Sequence, residues 1–363
     1  MFAQSLPAGA LDSHPCLPVD RPTTRAPVDL TSGERRELEV VADAALARFA
    51  GPLAAPCKRI VHAPGRRLRP ALALACARLG TPRDEHTVMG LAAAVELLHA
   101  ATLVHDDVID GAHTRRGVDT VNAREGVATA IIAGDALIAT ALGLAGQLDA
   151  AAGGVLVRTL ADLCAGQAAE EGLRHRPAAD LEDVLAAAAL KTGSLLRAAC
   201  TVGALAGGLG GDLLDALGDF GSRFGVCLQM VDDVLDFVST EALLGKPVEA
   251  DLSAGVLSTP IVHCLTTNPE LAALIGAPQH TAASRLALRL VRDSDALAVS
   301  VDGAHRHAAV AAERLRAVAP GRADVAALAA CVGDFVEDQL RTKTHPRWRE
   351  LVMYRPELEA SSS

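Results

Sequence analysis

The sequence predicts an all-α, single-domain protein, on three observations. Half of its 363 residues are hydrophobic yet only 2% are aromatic, so the interior must be filled by Ala, Leu and Val, a mixture that suits packed helices better than strands. Apolar residues recur at helical period from Thr31 to about residue 343. No window of alternating β-branched residues is long enough for a strand.

Folding is expected to start at Thr31, because the T-S-G-E stretch sets Glu34 three residues after a Thr, the pattern of a capping box, ahead of an amphipathic run to about Phe49. Further helices are predicted over 69–79, 86–110, 119–146, 151–173, 180–205, 211–238, 260–266, 281–294, 302–317 and 323–343. Breaks such as GTPRDE, RHRPAAD and APGRAD separate them. The most membrane-like stretch, VATAIIAGDALIATALGLAGQL from Val127, is interrupted by Gly134-Asp135 and reads as a buried core helix, so no transmembrane segment is expected. Residues 1–30, with five prolines between Pro7 and Pro27 and no Sec-type signal, read as a disordered leader. The helical domain is drawn over 31–344 and a loose tail over 345–363.

The formal net charge of −10 argues against a nucleic-acid partner, whose phosphates attract Lys and Arg. Eight cysteines without a C-x-x-C pair read as small buried hydrophobes in a reducing, cytoplasmic setting.

Two stretches, LVHDDVIDGAHTRRG from Leu103 and LQMVDDVLDF from Leu228, repeat one arrangement of aspartates. On a helix Asp106, Asp107 and Asp110 lie on one side within about a turn, and so do Asp232, Asp233 and Asp236. Each set follows an apolar run, ELLHAATLV or FGVCLQMV, and so stands at the C-terminal end of a buried helix, where carboxylates oppose the macrodipole. Positive charge must answer them. An oxygen-only ligand set fits Mg²⁺, which keeps several waters and takes one or two carboxylates plus substrate phosphates. Zinc or iron would ask for His or Cys at ligand spacing, and His105 reads as a hydrogen-bond partner instead. Cations stand nearby in sequence: Arg66, Arg67 and Arg69 in APGRRLRP, Arg115 and Arg116 in HTRRG, Lys191 beside Thr192 in LKTG, and Lys246 in LLGKP. Arginine forks suit phosphate oxygens. Together these residues describe a cavity for two diphosphates bridged by magnesium.

These motifs resemble those of the trans-type polyprenyl (isoprenyl) diphosphate synthases, over about residues 35 to 343. ELLHAATLVHDDVIDGAHTRRG is similar to the family's first aspartate-rich motif with its downstream arginines, and LQMVDDVLDF to the second. GRRLRP resembles the G-K-x-x-R-P stretch, KTGSLL the K-T-x-x-L, and GKPVEADLSAG the loop after the second motif. The resemblance implies an antiparallel helical bundle of the isoprenoid synthase type around a deep central cavity. It also implies a homodimer that joins an allylic diphosphate to isopentenyl diphosphate, with about three Mg²⁺ per site. Carried over by position, Asp106, Asp107, Asp110, Asp232 and Asp236 would hold Mg²⁺, with Asp233 supporting. Arg115, Lys191 and Lys246 would contact the allylic diphosphate, with Thr192 and Gln229 nearby. Gly65, Arg66, Arg69, His99 and Arg116 would hold isopentenyl diphosphate.

Three positions depart from the family. Arg66 stands where Lys is usual, Val256 where a loop Lys is usual, and Glu249 where a small residue is usual. Ala101, five residues before Asp106, and Thr102 beside it stand where shorter-chain members often carry an aromatic plug. With Ala93 and Ala94 deeper, this implies a product of C20 or longer. Other readings are transfer to a non-isopentenyl acceptor, a class I terpene cyclase, and a non-catalytic subunit of a heteromeric synthase. A cyclase would carry an N-D-x-x-S-x-x-x-E motif and aromatics to steady carbocations. A non-catalytic subunit would be expected to lose aspartates, and all six remain.

Overall fold

The computed structural model describes residues 28–49, 51–82, 84–115, 117–244, 252, 254–275 and 281–353. The chain opens with α1 (Ser32–Leu46), started by the capping box in which Thr31 and Glu34 hydrogen-bond each other's backbone N–H. Next come α2 (Ala54–Val61), α3 (Leu68–Ala77) and the long α4 (Glu85–Ile109), capped by the Asp84 side chain. A two-residue hairpin, β1 (Thr114–Arg115) against β2 (Val118–Asp119), leads into α5 (Val121–Glu125) and α6 (Val127–Leu148). Then follow α7 (Ala150–Leu173), α8 (Leu181–Ala188), a five-residue π-helical turn (Ala189–Gly193), α9 (Ser194–Ala206) and α10 (Gly211–Val238). The remainder comprises α11 (Glu241–Leu244), α12 (Thr259–Thr267), α13 (Pro269–Ile275), α14 (Thr281–Arg292), α15 (Ala296–Val318), α16 (Ala323–Lys343) and α17 (Arg349–Met353).

The bundle is layered around α9, which packs on α3, α4, α7 and α10, while α10 packs in turn on α15 and α16. Small residues set the spacing. A Cβ added to Gly203 or Gly207 on α9 would fall 2.1 or 2.5 Å from the carbonyl oxygen of Ala73 or Ala77 on α3, so these helices meet backbone to backbone. Three of the few aromatics cluster, with Phe224 edge-on to Phe220 and Phe335 at centroid distances of 6.0 and 5.2 Å.

The predicted helix over 119–146 is broken. Gly126, at φ +88°, separates α5 from α6, and the hairpin precedes both. The predicted helix over 180–205 contains the π turn. α6 is not the buried core helix expected: Val127, Ile131 and Ile132 are about half exposed, and only the opposite face, through Ala130, Ala133, Leu137 and Ala141, enters the core. The loose tail expected from residue 345 gives way to docked structure over 345–353. The His345 N–H donates to the Val238 carbonyl at 2.9 Å, and the Arg292 and Arg347 guanidiniums both lie against the Trp348 ring. Cys164 is exposed, whereas the other six described cysteines are buried.

Arg67 departs furthest from its expected role as a diphosphate-binding cation. It sits at φ +56° before α3, is only 8% exposed, and its guanidinium meets Glu96 of α4 at 2.6 Å. It also donates to the carbonyls of Val61 and Ala63. This buried fork ties the α2–α3 turn to α4. Removing one partner leaves a buried charge alone, so Arg67→Ala should lower unfolding free energy by about 3–5 kcal/mol, whereas Arg67→Met with Glu96→Leu should recover much of it. Urea unfolding of both variants checks this, and a single variant as stable as the wild type would refute it.

Candidate active site

The first aspartate set occupies the last turns of α4, with Asp110 as its C-cap. Asp107 is 2% exposed and accepts from Arg115 Nε at 2.8 Å. The turn that returns Arg115 is locked: Asn122 Nδ2 donates to the carbonyls of Asp107 and Ala112, and Thr120 Oγ1 donates to that of Ala112. The Asp107 carbonyl also accepts from the Ala112 N–H at 2.9 Å. In this structure Asp107 is thus engaged with Arg115 and holds that side chain beside the first set. Asp106 and Asp110 keep accessible oxygens, and Arg174 reaches Asp110 Oδ1 at 3.3 Å.

The second set lies in the last three turns of α10. Asp232 and Asp236 share one stripe at i,i+4, while Asp233 is turned about 100° from Asp232. Asp233 accepts from Gln229 Nε2 and from the Thr259 N–H, both at 2.9 Å, and so holds the start of α12 as well as Gln229. Gln229 Oε1 accepts in turn from Thr192 Oγ1 at 3.0 Å.

The π turn joins the two sets. It lodges between α7 and α10 at backbone distance: a Cβ on Gly166 would lie 2.4 Å from the Lys191 nitrogen, and one on Gly225 would lie 2.5 Å from the Gly193 Cα. From this turn Lys191 faces Glu170 at 2.6 Å and feels the charges of Asp106 and Asp110, while Thr192 faces Gln229 and the second set. A π turn widens the helix locally and recurs at functional sites.

Burial pushes the Asp106 carboxyl above the usual carboxylate range, against the pull of Lys191 and Arg115, and does the same to Asp107. Burial alone would depress Lys191, but Glu170, Asp106 and Asp110 together push it up. No three His, Cys, Asp or Glu side chains among the described residues converge tightly enough to cage an ion. The donors the two sets offer are carboxylate oxygens, a chemistry that fits Mg²⁺. His105 donates from Nε2 to the Ile131 carbonyl at 3.2 Å.

A second polar cluster lies further down α4. His99 Nε2 meets Arg69 at 3.0 Å, and His99 stands seven residues before Asp106, two turns away and about 10 Å along the same stripe. Arg66 turns elsewhere, toward Asp338 at 3.3 Å and over the Phe335 ring at 4.9 Å on α16. The Gly65 carbonyl accepts from Arg35. Arg116, Lys246 and Glu249 lie outside the described residues. Ala101 is fully buried, because five residues carry it about 140° around α4 from Asp106. The accessible residues below Asp106 are Leu103, Thr102 and His99.

The family model for polyprenyl synthetase matches residues 51–289. The chain belongs to the polyprenyl synthetase family. It is 34% identical over 250 residues to heptaprenyl diphosphate synthase component 2 of Geobacillus stearothermophilus, covering 68% of this chain and 78% of that protein. It is 37% identical over 262 residues to geranylgeranyl diphosphate synthase of Mycobacterium tuberculosis, covering 70% and 73%. The crystal structure of a polyprenyl synthase from Caulobacter crescentus, complexed with calcium and isoprenyl diphosphate, superposes with a TM-score of 0.77 at 29% identity, covering 84% of this chain and 94% of that one.

In this synthetase, sequence reasoning missed Glu96, Glu170 and Arg174. Glu170 was within reach: it follows Gly166 by four residues on the face of α7 that meets the π turn. Because the native state holds the Asp106 and Asp107 protons to higher pH than the unfolded chain does, stability falls as pH rises from the ordinary carboxylate value through the raised ones. The penalty then persists at neutral pH. Asp106→Asn should therefore raise the melting midpoint of metal-free protein at pH 7 by a few degrees while removing about 99% of turnover. Calorimetry and an activity assay check this; a lowered midpoint, or more than about a third of wild-type activity, would contradict it.

Proposed function

We propose that this synthetase condenses an allylic diphosphate with isopentenyl diphosphate, releasing diphosphate and lengthening the prenyl chain, in a Mg²⁺-dependent reaction. The observation that carries the reading is the π turn, which offers Lys191 to the first aspartate set and Thr192 to the second. The names of the relatives, heptaprenyl and geranylgeranyl diphosphate synthases, agree with it.

Mg²⁺, when bound, neutralises charge on the leaving diphosphate. Lys191 and Arg115 add fixed positive charge at the same place, set in advance by Glu170 and Asp107, so little reorganisation accompanies the departure of the leaving group. Arg69 and His99 orient isopentenyl diphosphate about two turns away. The allylic C–O bond breaks with its electron pair leaving on diphosphate, the double bond of isopentenyl diphosphate forms the new C–C bond, and the proton then lost passes to the departing diphosphate. No side-chain nucleophile takes part. The decisive experiment incubates pure protein with Mg²⁺, isopentenyl diphosphate and allylic primers of several lengths, then weighs the products. Prenyl diphosphates longer by C5 units are expected, and untouched isopentenyl diphosphate would end the reading.

The same experiment, run on fractions resolved by size, tests the assembly. The exposed faces of α6 and α7, with Val127, Ile131, Ile132 and Val157 each 45–56% exposed, form an apolar surface suited to a second copy of this chain. Activity should run with a homodimer. A monomer inactive alone would favour a two-component enzyme, as the name of the Geobacillus relative suggests for that protein.

Product length is governed, on this reading, by Thr102 and Leu103, the accessible residues beneath Asp106. A product of C20 or longer follows from the small side chain at Thr102. Thr102→Phe should shorten the product by at least one C5 unit. Ala101→Phe should instead overpack the core by about 1–3 kcal/mol and leave product length unchanged. Mass spectrometry of the products with melting curves separates the two, and the opposite pattern would restore Ala101 as the floor.

A further inference from the structure

Arg174, the C-cap of α7, is placed with more care than a surface residue needs. One nitrogen of its guanidinium lies 3.3 Å from Asp110 Oδ1 and 2.8 Å from Glu171 Oε1, its side chain is 21% exposed, and its Nε is buried with no hydrogen-bond partner among the described residues. A buried donor left over on a cation points to an acceptor that arrives with a ligand. The next residue fixes the segment. His175, at φ +56°, donates its N–H to the Gly255 carbonyl at 2.9 Å, lays its ring against Gly255, and donates from Nδ1 to the Ile275 carbonyl at 3.1 Å. The stretch that carries Arg174 is thereby clamped to the stretch that carries Val256, which brings no charge of its own. Lys191 and Arg115 are each already engaged by a carboxylate, Glu170 and Asp107.

We propose that Arg174 binds the diphosphate of the allylic substrate, supplying from the end of α7 a cation that Val256 does not supply from the facing loop. The proposal rests on the prenyl-transfer reading for the identity of the substrate but not for the binding of diphosphate. An arginine fork has five donors, so Arg174 can keep Glu171 while its Nε–H and a second N–H take phosphate oxygens.

The test titrates the full-length protein with inorganic diphosphate and Mg²⁺ by calorimetry and measures Michaelis constants for both substrates. Arg174→Gln should weaken diphosphate binding about tenfold or more and raise the Michaelis constant for the allylic primer alike, with that for isopentenyl diphosphate changed less than about twofold. Adding Val256→Lys to Arg174→Gln should recover most of the loss, a rescue that a merely structural arginine would not show. Melting curves establish that both variants fold. Unchanged diphosphate affinity in Arg174→Gln, or a loss shared equally by both substrates and not rescued, overturns the proposal. Wild-type protein that binds diphosphate through Arg174 yet leaves isopentenyl diphosphate unconsumed would defeat the prenyl-transfer reading and uphold the role of Arg174 in binding.

Discussion

The site depends on one turn of π-helix between α8 and α9. An uninterrupted α-helix through residues 181–206 would carry Lys191 and Thr192 on a narrower spiral and press its backbone uniformly against α7 and α10. The π turn bulges instead, and room for the bulge exists only because Gly166 and Gly225 present no side chain to it. Glycine inside a helix costs up to about 1 kcal/mol relative to alanine. The neighbours therefore give up some helix stability so that two adjacent side chains can serve two aspartate sets carried on different helices.

Three buried or half-buried cations among the described residues are matched by a carboxylate before any substrate arrives. Arg67 has Glu96, Arg115 has Asp107 and Lys191 has Glu170. Pairs of this kind add little net stability over apolar packing but fix geometry, since a misplaced partner would leave a charge stranded. Of the six aspartates, Asp106, Asp110 and Asp232 remain accessible, and Asp107, Asp233 and Asp236 are buried.

What could be read from the chain was local in origin. The limits of α10 and α16 coincide with the predicted 211–238 and 323–343, because Gly210-Gly211 and Asp324 mark starts that neighbouring residues alone determine. The twin aspartate sets were legible for the same reason, their spacing being a property of one helix. What could not be read needed a second helix. The π turn is forced by glycines on α7 and α10, Arg67 becomes structural only because Glu96 lies opposite, and Arg174 is close to Asp110 across 64 residues of sequence. The burial of Ala101 has a simpler origin, since five residues down α4 turn it about 140° from Asp106.

The docked C-terminal segment gives the molecule an optical reporter. Trp348 is its one tryptophan, and its indole lies near Arg292 and Arg347 at 5.7 and 5.2 Å. The segment is fastened by the His345 N–H to the Val238 carbonyl, two residues beyond Asp236. Intrinsic fluorescence excited at the red edge therefore follows the attachment of this strap to the second aspartate helix. Early fraying there would shift the emission while far-ultraviolet dichroism, dominated by the long central helices, stayed level.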